Sequence, residues 1–89
     1  MNHIVKRAGH SEKYDQRKLY ASLYYACISV RETEATAEMI ADAVCKEVGH
    51  WLSHKHEVTA NDIRKQAAKH MHDYHPEAAY MYLHHRVIH

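Results

Sequence analysis

Cations, a glycine and carboxylates crowd one short stretch of the chain: Val5-Lys6-Arg7-x-Gly9, followed by Glu12, Tyr14, Asp15 and Lys18. Lys6 and Arg7 stand at the end of an apolar, β-branched run. Lys18 stands where the first turn of a helix should begin, and there unpaired amides and the helix dipole already favour anions. Three converging cations of this kind suit a polyphosphate. Glu12 and Asp15 would repel a bare polyphosphate, so they are better placed toward a base or a ribose, where carboxylates can accept hydrogen bonds from amino or hydroxyl groups. Ordinary solvated surface charge is the plain alternative for the same residues.

The elements that must position this cluster are legible from punctuation and periodicity. His3-Ile4-Val5-Lys6-Arg7, a turn through Ala8-Gly9-His10-Ser11 and a return through Glu12-Lys13-Tyr14 predict a β-hairpin over 3–14. A lone hairpin is marginal in water and must pack on something. Asp15 is a good N-cap, with Tyr14 and Leu19 placed as a hydrophobic staple. Leu19, Leu23, Ala26 and Val30 then recur at helical spacing, predicting a helix over 16–29. Thr33 caps a second helix over 34–53, whose stripe runs through Ala37, Ile40, Ala41, Val44, Val48, Trp51 and Leu52. Thr59 caps a third over 60–74, with Val58 stapled to Ile63, and Pro76 suits the first position of a fourth over 76–88. The expected fold class is α+β: one domain over 1–89, with the N-terminal hairpin packed as a lid on a small four-helix bundle. At 89 residues the chain has room for one modest core. A large cofactor cavity is not expected.

The run Ile4-Val5-Lys6-Arg7-x-Gly9-x-x-Glu12-x-Tyr14-Asp15-x-x-Lys18-Leu19 resembles the opening signature of the ATP-cone domain. The similarity continues through Ala26, Val58-Thr59-x-x-Asp62-Ile63 and Ala79-Tyr80 to Arg86, covering residues 3–88. The resemblance implies a regulatory module of the kind found in ribonucleotide reductases and in the repressor of their genes. Such a module binds ATP or dATP between hairpin and helices and changes oligomeric state in response. Carried over by position, Lys6, Arg7 and Lys18 match phosphate-contacting cations, and Ile4 and Val5 match the strand lining the pocket. Glu12 and Asp15 match polar positions near the base, and Thr59 matches a helix-cap hydroxyl near the phosphates. Magnesium can accompany the nucleotide. Ala8 departs from the family's usual Asp or Asn and removes a favourable turn side chain. No reductase barrel or zinc ribbon accompanies the motif in these residues, so the expected output acts through self-association or a separate regulated protein.

Other classes fare worse. Net charge is only +1, with five basic residues against two acidic ones over 1–24 and seven against nine in the remainder. That asymmetry points to a local anion site rather than a nucleic-acid footprint. A small helical DNA-binding or transcription-regulator module would use Arg64, Lys65 and Lys69, diluted by Asp62 and Asp73. The eleven histidines raise a His-rich metal-binding alternative, with His85 and His89 spaced i,i+4 and His72 and His75 i,i+3, whereas His70 and His72 point apart. Solvated surface histidines are the plainer reading. Tyr20, Tyr24 and Tyr25 could stack on a base, though core packing explains them more simply. Cys27 and Cys45 lack CxxC spacing and read as buried thiols. With no Walker loop, Gly-x-Ser-x-Gly elbow or local catalytic cysteine signature, an enzyme is not expected. The longest uncharged run, Leu19 to Val30, is too short to span a bilayer, and no leader pattern opens the chain, so the expected location is cytoplasmic.

Overall fold

The computed structural model describes residues 4–7 and 10–84, and for residues 4, 6, 7 and 10 the backbone alone. The element order is β1 Ile4–Arg7, β2 His10–Lys13, α1 Gln16–Ser29, α2 Glu34–Leu52, β3 Glu57–Thr59, α3 Ala60–Tyr74 and α4 Pro76–His84. The architecture is α+β and mostly helical. The expected turn at Ala8-Gly9 and the expected continuation of the fourth helix over 85–88 lie outside the described residues.

Each helix begins at a residue suited to the task. Asp15 Oδ1 accepts from the amide of Arg17 at 3.0 Å, and Thr33 Oγ1 accepts from that of Thr36 at 3.1 Å. Thr59 and Asp62 form a reciprocal capping box. α4 starts differently: ahead of Pro76, the Nδ1 of His75 accepts from the amide of Ala78 at 3.1 Å, so a histidine does the work of an N-cap.

The end of α1 reverses the chain. Glu32 donates its amide to the carbonyl of Cys27 at 3.1 Å and Arg31 to that of Ile28 at 2.9 Å, the paired bonds of a Schellman ending. That ending requires a left-handed residue, and Arg31 supplies it at φ 68° where glycine would be usual. The turn sets α2 against α1; α3 packs on α2, α4 on α3, and α4 returns onto α1. Leu23, Ala26, Cys27, Ala37, Val44, Val48, Leu52, Ala67 and Met71 fill the space between them. Cys27 and Cys45 are buried free thiols, each pushed up to about 11, first by burial. Tyr20 and Tyr24 stack on one another and pack partly against the core, whereas Tyr25 is half exposed.

The third strand is a correction to the sequence reading. Val58 and Thr59 serve as lead-in and cap of α3 as expected, but with Glu57 they also pair in parallel with β1, giving the sheet order β2-β1-β3. Three residues are too few for periodicity to reveal, and their pairing depends on a partner more than fifty positions away. The reward is burial: Val5 and Val58 lie opposite one another, 4% and 5% exposed, and join the sheet to the helical core.

Replacing Arg31 with glycine should relieve the left-handed strain and raise unfolding free energy by about 1 kcal/mol in urea titration. Destabilisation by Arg31→Gly would contradict this account of the α1 ending.

Candidate functional site

Strand register decides which of the candidate residues come together. β2 runs antiparallel to β1, pairing Lys13 with Ile4, Glu12 with Val5, Ser11 with Lys6 and His10 with Arg7. β3 runs parallel to β1, pairing Glu57 with Ile4, Val58 with Val5 and Thr59 with Lys6. Directly paired residues share a face of a sheet. Glu12, partly buried, therefore lies in one row with Val5 and Val58 on the side facing the helices.

The same register separates two helix starts. α1 leaves the sheet after Lys13, beside the beginning of β1, whereas α3 leaves directly after Thr59, beside Lys6 near the end of β1. Thr59, matched only by its place at a helix cap, is thus the candidate whose position relative to Lys6 is set by pairing. Asp15 and Lys18 share the first turn of α1, and nothing in the pairing carries them to the Lys6-Arg7 end. The side chains of Ile4, Lys6 and Arg7 lie outside the described residues, so the expected convergence of Lys6, Arg7 and Lys18 rests on backbone placement for the first two. A four-residue strand spans roughly 10 Å between its end residues, a length that an extended nucleotide can follow.

The polar residues differ in their commitments. Asp15 is half-buried and occupied with Arg17, accepting its amide at 3.0 Å and standing 3.7 Å from its guanidinium Nε. Lys18 is exposed, and its carbonyl accepts from the Ser22 hydroxyl. At the start of α3, Thr59 Oγ1 accepts from the Asp62 amide at 2.9 Å, and Asp62 Oδ2 accepts from the Thr59 amide at 3.0 Å. An internal carboxylate already occupies part of this helix start. The Ala60 and Asn61 amides, in the first turn, have no acceptor within the helix. Among the described residues the Thr59 hydroxyl has no acceptor for its proton.

Arg64 was overlooked as a site residue, having been considered only in the DNA-binding alternative. It lies five residues past Thr59, next to buried Ile63, and is itself partly buried. Burial pushes the Tyr82 phenol up to about 12, against the opposing effect of the Arg64 charge. Tyr14, in the link between β2 and α1, is raised first by burial and then by Cys45, Tyr82 and Asp15, and its enclosed hydroxyl finds no partner among the described residues. Tyr14, Cys45, Tyr82 and Arg64 therefore bring the β2–α1 link and the helices α2, α4 and α3 to one region. The signal for Arg64 was available: the Thr59 cap sets the helical phase, which turns Ile63 inward and leaves Arg64 on its flank.

Of the histidine pairs that carry the metal-binding alternative, His72 and His75 have unlike surroundings. His75 is committed to the Ala78 amide through Nδ1 and faces Glu32 through Nε2 at 3.8 Å, while His72 is exposed. His85 and His89 lie outside the described residues. Among the described residues no three of His, Cys, Asp or Glu assemble as a metal-ligand group, and no helix is long and apolar enough to cross a membrane.

Asp62 offers a pH test of the α3 start. The backbone hydrogen bond from Thr59, then the side-chain bond with Thr59, holds its carboxyl below the ordinary 3.8, with smaller help from Lys65 and Lys55. A depressed folded pKa contributes stability above the unfolded value and loses it as pH falls through the folded one. Asp62→Asn should therefore lower Tm at pH 7, with the gap from the parent closing as pH falls past the ordinary 3.8 and through the lowered folded value. A gap independent of pH would exclude the charge as its source.

No curated protein and no solved structure matches the chain significantly. The model of the ATP cone domain matches residues 2–89, taking in the strands, the helix caps and the cation cluster alike. With that match over essentially its whole length, and a nucleotide-binding regulatory role implied by it, the chain belongs to the ATP-cone domain family.

Proposed function

We propose that this protein binds ATP or dATP where its N-terminal hairpin meets the helices, and that the bound nucleotide controls assembly with itself or with a separate regulated protein. The observation carrying this reading is the parallel pairing of β1 with β3, which sets Lys6 opposite Thr59 at the start of α3. A strand end rich in cations beside a helix N-terminus is a setting for phosphate, because charge and unpaired amides act on the same oxygens. In this reading Lys6, Arg7 and Arg64 neutralise the phosphates beside α3, Lys18 extends its long side chain toward them from the first turn of α1, and the Thr59 hydroxyl and the Ala60 and Asn61 amides donate to them. Ile4 and Val5 line the pocket, while Glu12 and Asp15 accept from the base or ribose at the other end of the strand. Magnesium accompanies the phosphates.

The nucleotide is a ligand in this proposal and not a substrate, since a reporter of nucleotide concentration must hold its ligand intact. Its effect on assembly follows from linkage: an equilibrium moves only if the nucleotide binds one state more tightly than another. The paired strands β1 and β2, joined to the helical body through β3 and α3, are the part whose position the ligand would bias.

Loss of one charge-assisted phosphate contact costs about 1.5 to 3 kcal/mol, or about one to two powers of ten in affinity. Calorimetry on folded variants should show Arg7→Ala, Lys18→Ala and Arg64→Ala weakening ATP by that factor while adenosine binding changes little. Glu12→Ala should erode preference for adenine over guanine. Sedimentation profiles should shift on saturation with ATP or dATP if the output is self-association. Absence of saturable ATP binding at millimolar concentration would refute the nucleotide reading.

A further inference from the structure

A groove of about 470 Å³ opens between α2 and α3, on residues with no assigned place in the nucleotide site. Lys46, Glu47, His50, Trp51, His54, Gln66 and His70 line it. Most of its polar groups are already engaged. Glu47 accepts from the Tyr74 hydroxyl at 2.7 Å and faces His70 Nδ1 at 3.1 Å, and His70 Nε2 meets Gln66 at 3.1 Å. Lys46 pairs with Asp42 at 3.1 Å, and Lys55 lies over the Trp51 ring.

His50 and His54 are different. Both are exposed, and neither has a hydrogen bond or ion pair among the described residues; their rings meet each other, with centroids 5.2 Å apart and planes at 85°. The spacing is i,i+4, and the backbone preserves its meaning past the end of the helix. Ser53 keeps right-handed helical angles, φ −61° and ψ −16°, and donates its amide to Gly49 and His50; His54 then donates to Trp51 and Lys55 to Leu52. The last turn of α2 thus continues far enough to hold both imidazoles on one side. Two imidazoles on a tetrahedral ion, with Zn–N near 2.0 to 2.1 Å, have nitrogens about 3.3 Å apart. Rings in edge-to-face contact are within a side-chain rotation of that arrangement. The negative end of the α2 dipole adds to the attraction for a cation.

We propose that His50 and His54 form a two-histidine site for a divalent transition ion of the zinc class, completed by water, with the groove holding His70 and Glu47 across from it. Imidazole is a ligand of choice for Zn²⁺, Ni²⁺ and Cu²⁺ and a poor one for Mg²⁺ or Ca²⁺, so the site discriminates against the ion that accompanies nucleotides. Its consequence is mechanical. The ion ties the last turn of α2 to the segment 53–56, which feeds β3 and thereby the strand paired with β1.

The test is a Zn²⁺ titration of the full chain at pH 7.5, followed by imidazole ¹H–¹⁵N spectra and by competition with a chelator of known affinity. The first equivalent should perturb the rings of His50 and His54, and amide exchange at Ser53, His54 and Lys55 should slow. His50→Gln combined with His54→Gln should weaken the first equivalent at least tenfold, while His85→Gln combined with His89→Gln leaves it within threefold. These variants replace exposed side chains with a polar one, and an unchanged CD spectrum verifies the fold. First-equivalent shifts at other histidines, unchanged affinity in the His50/His54 variant, or exchange unaltered by Zn²⁺ would each overturn the proposal.

Discussion

The parallel pairing of β1 with β3 is the constraint on which the arrangement of the cone depends. β1 carries Lys6 and Arg7, and β3 is continuous with α3 through Thr59, so three paired positions tie the N-terminal strand to the helical body. At their centre Val5 meets Val58 on the buried face, and Glu12 extends that row into β2. Without this ladder the first two strands would be an isolated pair, marginal in water, and Lys6 and Arg7 would have no defined relation to the start of α3.

Around that ladder the helices are organised by their ends more than by their middles. Asp15, Thr33, Thr59 and His75 each satisfy a helix-start amide, and Arg31 accepts a left-handed conformation so that α2 can fold back on α1. The α1–α2 corner is then linked to the α3–α4 corner by Glu32 facing His75. One consequence is electrostatic: Asp62 neutralises part of the α3 dipole from within. A phosphate at Thr59 must therefore be held chiefly by strand cations and the remaining first-turn amides.

The caps and apolar spacings of the helices could be read from single residues because those signals are local. Asp15, Thr33 and Thr59 stand where the sequence places them, and α2 ends at Leu52, one residue before its expected limit, because Ser53 caps it. β3 was hidden because a three-residue strand has no period and its partner is distant. The His75 cap was hidden because a histidine acceptor has no sequence rule of its own. The opening cation cluster was visible through its resemblance to a known signature, yet that resemblance could not say which helix start lies beside which strand end. Arg64 was legible only as one of the cations of a DNA-binding alternative, because its relation to Tyr82, a residue on another helix, is not local. His50 and His54 were overlooked for a simpler reason: their i,i+4 spacing straddles a helix end, where the geometry depends on how the chain leaves the helix.

The most direct measurement of the central claim is a titration of ¹⁵N-labelled protein with ATP, followed by amide chemical shifts. If the nucleotide lies along β1 between the starts of α1 and α3, saturable shifts should concentrate in β1 and β2, at Asp15 to Lys18 and at Thr59 to Asp62, leaving the α2–α3 groove quiet. Saturable shifts confined to that groove, or none at millimolar ATP, would contradict the account.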